Sequence, residues 1–392
     1  MARKLLTCIC LLIAAPSSLF STESQKYKLT VSLLNDSYRG APQSIEMDQK
    51  DELHHIYDND DFVIGFAFSG GGTGGMGSAT ILDMMDKELK IYDKRCKIMD
   101  ILRKADAAGT STGAIVATFA QNPDKMHPTK NREFIPSDLM DLYRDNSPAT
   151  FCPHPRWACC CFTAPLVDTK LVETGKTYFG DLRMKEVPRL YIVTVDKKTG
   201  KPEILTSKTV PDDDDTVLEQ IRKSIAIPCC FAPHKGKMDG GSCLCNNDPS
   251  RIAAQKLLAE LRIKAKKNPG KILLISVGAG KYCHTNCQCI SENNSGGLLN
   301  CCLDGTPSII TTGLLDPSQA EVAQLADDEK IGIEEHHFDF PVGPLSCPLS
   351  FMDCCLDNIR DNAEKAVAKD PNFSRVVKLL YRYWQEKIEP TL

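Results

Sequence analysis

Residues 107–120 read AAGTSTGAIVATFA. Small residues run into a glycine, a serine and a second glycine at alternate positions, and a good helix-forming stretch follows. Gly109-Thr110-Ser111-Thr112-Gly113 fits G-x-S-x-G, the pattern of a nucleophile elbow. In that turn the serine joins a strand to a helix at strained backbone angles. Side chains two residues to either side would clash, which calls for glycine there. The reading predicts a short strand over Asp106 to Ala108 and a helix over 114–120. The helix N-terminus would aim N–H groups at Ser111 and favour negative charge developing there.

The flanking sequence supplies the rest of an α/β pattern. VIGFAF (63–68) is a short, continuous apolar run, as expected of a parallel strand buried on both faces. After it, Ile81, Leu82, Met85 and Leu89 share one face of a helix over 76–92. RLYIVTVD (189–196) and PEILTS (202–207) flank Lys197-Lys198-Thr199-Gly200, a hairpin signal. Helices are expected over 216–227 and 250–267, a buried strand at KILLISVG (271–278), and a closing amphipathic helix over 371–389. Strands alternating with helices predict an α/β fold with a largely parallel central sheet.

Two further stretches could carry chemistry. SGGGTGG (69–75) lies between a strand and a helix, where consecutive glycines make a nest of N–H groups aimed at an anion. Gly72-x-Gly74-x-x-Gly77 matches a dinucleotide fingerprint, with Asp93 and Asp100 near the distance for its acidic residue. The other reading is an oxyanion hole built from the N–H groups of Gly70, Gly71 and Gly72. No Gly-Lys-Ser/Thr follows, which excludes a phosphate-binding P-loop. The second stretch is Met238-Asp239-Gly240-Gly241. It is either an ordinary turn or a carboxylate presented to take a proton from the serine directly.

The order glycine loop, G-x-S-x-G, Asp-Gly-Gly on an α/β chain resembles the patatin-like phospholipase family, over about Phe62 to Gly280. IRKSIAIPCCFAP (221–233) is similar to that family's Arg-x-Ser-x-Ala-x-Pro segment. DGGSCLCNNDP resembles its Asp-Gly-Gly followed by Asn-Asn-Pro, with Asp248 inserted. LLISVGAG resembles its Ser-x-Gly-Thr-Gly strand end. The resemblance implies a three-layer α/β/α sandwich, a Ser–Asp dyad and hydrolysis of lipid acyl esters. It implies Ser111 as nucleophile, Asp239 as base, Gly70, Gly71 and Gly72 as oxyanion donors, and Gly75, Gly109, Gly113, Gly240 and Gly241 as supporting glycines. A lipid or phospholipid substrate met at a membrane surface follows, with no cofactor and with a protein activator left open. The chain departs from the family where Ser69 and Gly74 stand in place of Asp and Arg or Lys. Three rivals remain: an acyltransferase using the same site, a nucleotide-binding oxidoreductase, and a catalytically inactive interaction protein. A histidine triad would have to draw on His234, His284, His336 or His337.

Bulk properties fit an exported enzyme. The 392 residues are 42% hydrophobic, and the net charge of -4 gives no basic excess for nucleic acid. Residues 1–21 read as a signal peptide: Arg3 and Lys4, an apolar run from Leu5 to Ala15, and small residues ending near Ser21. Residues 22–60 form an N-terminal extension, with one edge strand expected over Leu29 to Leu34, and 61–392 the catalytic domain. Nineteen cysteines, 17 of them beyond the leader, are compatible with disulfides in a secreted protein. Cys283-x-x-x-Cys287-x-Cys289 with His284, in a cysteine-rich loop over 281–304, lacks the second half of a zinc site, so no metal is expected.

Overall fold

The run VIGFAF forms strand β1 (Val63–Phe68), with all six residues buried. The computed structural model describes residues 63–124, 126–150, 168–212, 215–227, 231–242, 247–264, 271–282, 322–326, 332–342 and 353–391. The expected leader, extension and edge strand lie outside the described residues, as does the cysteine-rich loop beyond Tyr282. Among the described residues no helix is long and apolar enough to cross a membrane.

After β1 come α1 (Gly75–Tyr92), α2 (Ile98–Lys104), β2 (Asp106–Thr110), α3 (Thr112–Gln121), α4 (Pro136–Thr150) and α5 (Thr169–Phe179). The middle of the chain gives β3 (Leu190–Asp196), β4 (Pro202–Leu205), α6 (Val217–Ser224), β5 (Lys237–Asp239), α7 (Ser250–Lys264) and β6 (Ile272–Val277). It closes with β7 (Lys281–Tyr282), β8 (Ile333–Phe338), β9 (Pro341–Val342), α8 (Asp353–Lys369) and α9 (Phe373–Lys387). The main sheet has seven strands in the order β4-β3-β2-β1-β6-β8, with β5 paired to β3. Strands β3, β2, β1, β6 and β8 are mutually parallel. The Lys197–Gly200 turn returns β4 antiparallel to β3.

Helices cover both faces of the sheet, which makes a three-layer α/β/α sandwich. On one face Ile252, Ala253, Leu257 and Leu258 of α7 pack against Val63, Ala67, Ala108, Val193 and Leu274. Gly65 lets α7 approach closely, since a Cβ there would sit 2.3 Å from Leu257 Cδ1. Alternation along β1 turns Phe66 and Phe68 to the other face, where their rings stack. The remaining helices group around α1 and α3, and α9 buries Val376, Leu379, Leu380 and Trp384 along one stripe.

The register at β3 positions the site. Thr194 pairs with Glu203 of β4 and with Asp239 of β5, so β4 and β5 lie on opposite edges of β3. Strand β5 therefore shares its edge with β2. Thr110, the last residue of β2, lies opposite Val193, and Asp239, the last residue of β5, lies opposite the next residue, Thr194. Two strands arriving from opposite directions thus bring Ser111 and Asp239 to one point.

Candidate active site

Ser111 sits between β2 and α3 as the N-cap of the helix, with φ 54° and ψ -123°. A residue with a Cβ is strained at these angles. The flanking glycines are required sterically. A Cβ on Gly109 would lie 2.4 Å from the Gly113 carbonyl oxygen, and one on Gly113 would lie 2.0 Å from the Phe68 carbonyl oxygen. Ser111→Gly should therefore relieve strain and raise stability over Ser111→Ala by a net of about 1 kcal/mol, after the extra chain entropy of glycine is charged against it. Denaturant unfolding of the two variants measures this, and a Ser111→Gly protein less stable than Ser111→Ala by the full entropy cost of glycine would mean the turn stores no strain.

The elbow is held by Ser224, from the segment before β5. The Ser111 N–H donates to Ser224 Oγ (2.9 Å), which in turn donates to the Val193 carbonyl (2.6 Å). Two residues on, the Ala226 carbonyl accepts the Asp239 N–H (3.0 Å). One short segment thus fixes the backbones of both residues. Its likeness to Arg-x-Ser-x-Ala-x-Pro could have suggested a role, but the spacing gave no sign that its serine reaches the elbow.

Asp239 is 1% exposed. Its Oδ1 accepts the Gly241 N–H (2.8 Å), and its Oδ2 is buried without a hydrogen-bond partner among the described residues. Burial pushes its pKa up to about 7, against the opposing pull of the Ser111 hydroxyl and the Gly241 N–H. The Ser111 hydroxyl is thus near enough to act on the carboxyl without making a well-formed hydrogen bond to Oδ2. Catalytic hydrogen bonds are often long in unliganded sites. What results is a sheltered carboxyl, half ionised near neutrality, beside a serine on a strained turn.

The glycine loop closes over this pair. A Cβ on Gly70 would stand 3.2 Å from Ser111 Cβ, so the loop lies directly against the serine. The Gly70 N–H, however, donates to the Asn247 carbonyl (2.9 Å), while Asn247 Nδ2 donates back to the Gly70 carbonyl (3.2 Å). In this conformation Gly70 is spent on anchoring the loop and is not free as an oxyanion donor. Gly72 has φ 56° and begins the turn Gly72–Gly74. Gly74, where Arg or Lys was expected, has no room for a side chain, because a Cβ would lie 1.9 Å from the Ala279 carbonyl oxygen. The inserted Asp248 caps α7, accepting the Ser250 N–H (3.0 Å) and hydroxyl (2.6 Å), and takes a hydrogen bond from Ser276 of β6 (3.3 Å).

The rival readings fare less well. The stretch Ile98–Lys104 is helix α2, where Asp100 pairs with Arg103, and Asp93 pairs with Arg95 outside α1. Neither ends a strand, as the acidic residue of a dinucleotide site would. His234 pairs with Glu219 (2.8 Å), His336 with Glu334 (2.6 Å), and His337 lies against Ser276 (2.8 Å) and Asp339 (3.4 Å). His284 lies outside the described residues. Cys96 is buried and free, and burial pushes its thiol up to about 12.

No protein-family model matches the chain. It is 25% identical over 249 residues to Patatin-17 of Solanum cardiophyllum, covering 56% of this chain and 61% of that one. It is 27% identical over 184 residues to a Solanum tuberosum protein described as probable inactive patatin-3-Kuras 1, and 26% over 182 residues to Patatin-2-Kuras 1. The chain is patatin-like. It spans 46–61% of the length of these curated relatives. Among solved structures, VipD from Legionella pneumophila aligns over 78% of the patatin-like chain and 66% of its own, at 11% identity and a TM-score of 0.29.

Proposed function

We propose that the patatin-like chain is an exported lipid acyl hydrolase of the phospholipase A type. Ser111 attacks the ester carbonyl while Asp239 takes its proton. The resulting acyl-enzyme is hydrolysed by a water that Asp239 activates. The oxyanion is held by the N–H groups of Gly71 and Gly72, at the mouth of the helix-terminal nest. Each intermediate forms and breaks one C–O bond, with Asp239 passing the proton from serine to the leaving alcohol. The observation that carries this reading is the unpaired Oδ2 of Asp239, desolvated beside the Ser111 elbow. A buried carboxyl with its pKa near 7 is a competent base at neutral pH.

Export rests on the N-terminal pattern alone, Arg3 and Lys4 followed by the apolar run. The test of activity uses a fluorophosphonate probe and mixed phospholipid vesicles. Wild-type protein should be labelled at Ser111 and release free fatty acid and lysophospholipid, and Ser111→Ala should do neither. Label retained in Ser111→Ala would move the nucleophile elsewhere. Acyl transfer to an added alcohol in place of fatty-acid release would make the protein a transferase.

A further inference from the structure

The C-terminal ends of β6 and β8 carry a polar cluster that the dyad mechanism does not use. The register sets Ser276 beside His337 and Leu274 beside Glu335, so His337 and Glu335 share the face of the sheet that α7 covers. Asp248, at the head of α7, reaches down to them. Both of its oxygens accept the Ser276 hydroxyl (3.3 Å each). His337 Nδ1 lies 2.8 Å from Ser276 Oγ and 3.5 Å from Asp248 Oδ2, and its Nε2 lies 3.4 Å from Asp339 Oδ2. The Ser276 proton is given to Asp248, so the 2.8 Å contact needs a proton on Nδ1. Nε2 faces a carboxylate, which can only accept. Both ring nitrogens therefore call for N–H, which is the imidazolium form. Glu335 is the third carboxyl of the cluster. Burial, with the charge of Asp248 added, raises it to about 7 against the pull of His337 and Ser250.

Both aspartates lead to the glycine loop. Asp248 follows Asn247, whose carbonyl and side-chain amide hold the N–H and carbonyl of Gly70. Asp339 Oδ1 accepts the Gly280 N–H (3.0 Å) and the Phe340 N–H (2.9 Å). Its carboxyl also packs on Gly278, where a Cβ would lie 2.4 Å from Asp339 Cγ. Between Gly278 and Gly280 stands Ala279, on which the glycine loop rests. A Cβ on Gly71 would lie 2.7 Å from Ala279 Cβ, and Gly74 meets the Ala279 carbonyl. The loop thus has two supports, one at Gly70 and one under Gly71 and Gly74.

We propose that His337 is a positioning residue for the glycine loop: as an imidazolium between Asp248 and Asp339, it joins the two supports that hold the loop against Ser111. This rests on the reading of Gly71 and Gly72 as oxyanion donors. Preorganised donors need no rearrangement as charge develops, so loosening them costs rate in the transition state and little in ground-state binding. His337 acts through the loop and not on the reacting atoms.

The test uses three variants. His337→Leu removes both donors. His337→Gln keeps one donor at about the Nε2 position, towards Asp339. Asp339→Asn keeps the Oδ1 acceptor and removes the charge, and it serves if His337→Leu does not fold. Each is assayed on p-nitrophenyl butyrate and with an alkyl trifluoromethyl ketone. In that adduct Ser111 Oγ bonds to the ketone carbon, its proton passes to Asp239, and the carbonyl oxygen becomes the oxyanion. His337→Leu should lower kcat by about 10–100-fold, part of the effect of a lost oxyanion donor, with KM unchanged and the ketone Ki raised by the same factor. Hydrogen exchange of the peptide 67–77 should quicken about tenfold. His337→Gln and Asp339→Asn should fall between His337→Leu and wild type. Unchanged kcat, Ki and exchange in His337→Leu and Asp339→Asn would overturn the proposal and leave the hydrolase reading standing. Equal losses in His337→Leu and His337→Gln, with KM rising in step, would reduce His337 to packing and overturn it too. Faster exchange in His337→Leu that His337→Gln restores, in a protein that turns over no ester, would keep the loop support and reject the hydrolase.

Discussion

Asp239→Asn should lower kcat on short esters and phospholipids by about 10²–10⁴-fold, the usual contribution of a positioned general base. The substitution is close to isosteric. Its amide oxygen can still accept the Gly241 N–H that Oδ1 accepts now. What is lost is the proton acceptor at Oδ2, the atom that faces no partner in the resting site. Because the histidines described are paired elsewhere, no other described side chain stands ready to replace it. Serine and carboxyl should then act as one unit, and Ser111→Ala combined with Asp239→Asn should be no slower than the slower single variant. Kinetics on all four proteins, with unfolding curves as a control, decide the matter. Multiplying losses would mean that Ser111 is activated by a different base.

The same carboxyl should give opposite pH trends in activity and stability. In the folded protein Asp239 ionises near pH 7, and in the unfolded chain near the ordinary 3.8. Catalysis needs the ionised form, so kcat/KM should rise about tenfold per pH unit below 7 and level off above it. For stability the sign is reversed. Below about pH 4 the group is protonated in both states and costs nothing. Between 4 and 7 the unfolded chain releases a proton that the fold retains, so stability falls as pH rises. Above 7 the full cost is present, on the order of 4 kcal/mol. Asp239→Asn should therefore be more stable than wild type by a few kcal/mol at pH 8 and about equal to it at pH 4. Glu335, also raised to about 7 by burial, adds a background of the same sign that cancels between the two proteins. Equal stabilities at pH 8, or an activity profile that turns at pH 4, would remove Asp239 from the role of buried base.

Much of this arrangement was legible in the residues because backbone strain and burial leave sequence traces. VIGFAF reads as a parallel strand buried on both sides, and it forms one. The alternation Gly109, Ser111, Gly113 announced a turn too tight for side chains, and the contacts to Gly113 and Phe68 give the reason. Helices α4 and α5 were missed, because their ends are marked by buried charge and by packing that no local period reports. Asp138, for instance, accepts the Ile135 N–H and is bound by Arg132 and Lys130. The roles of Ser224 and Asn247 were equally invisible. Each reaches its partner across more than a hundred residues, so only the closed sheet brings them to the elbow and the glycine loop. The reading of Gly70 as a free donor failed for the same reason, since its N–H is claimed by a residue far along the chain.

The convergence of β2 and β5 on one edge of β3 also orders events in time. A nascent chain that has emerged only through Thr216 already carries the elbow, both strands of the hairpin and most of the helices that cover them. It carries Ser111, but the strand that delivers the carboxyl has not been made. Nor has the serine that pins the elbow backbone. In the proposed mechanism Ser111 is therefore synthesised long before its base. The carboxyl reaches the elbow only when the segment leading into β5 docks along β3, and a nick or truncation that keeps this segment from docking should leave the serine without a proton acceptor.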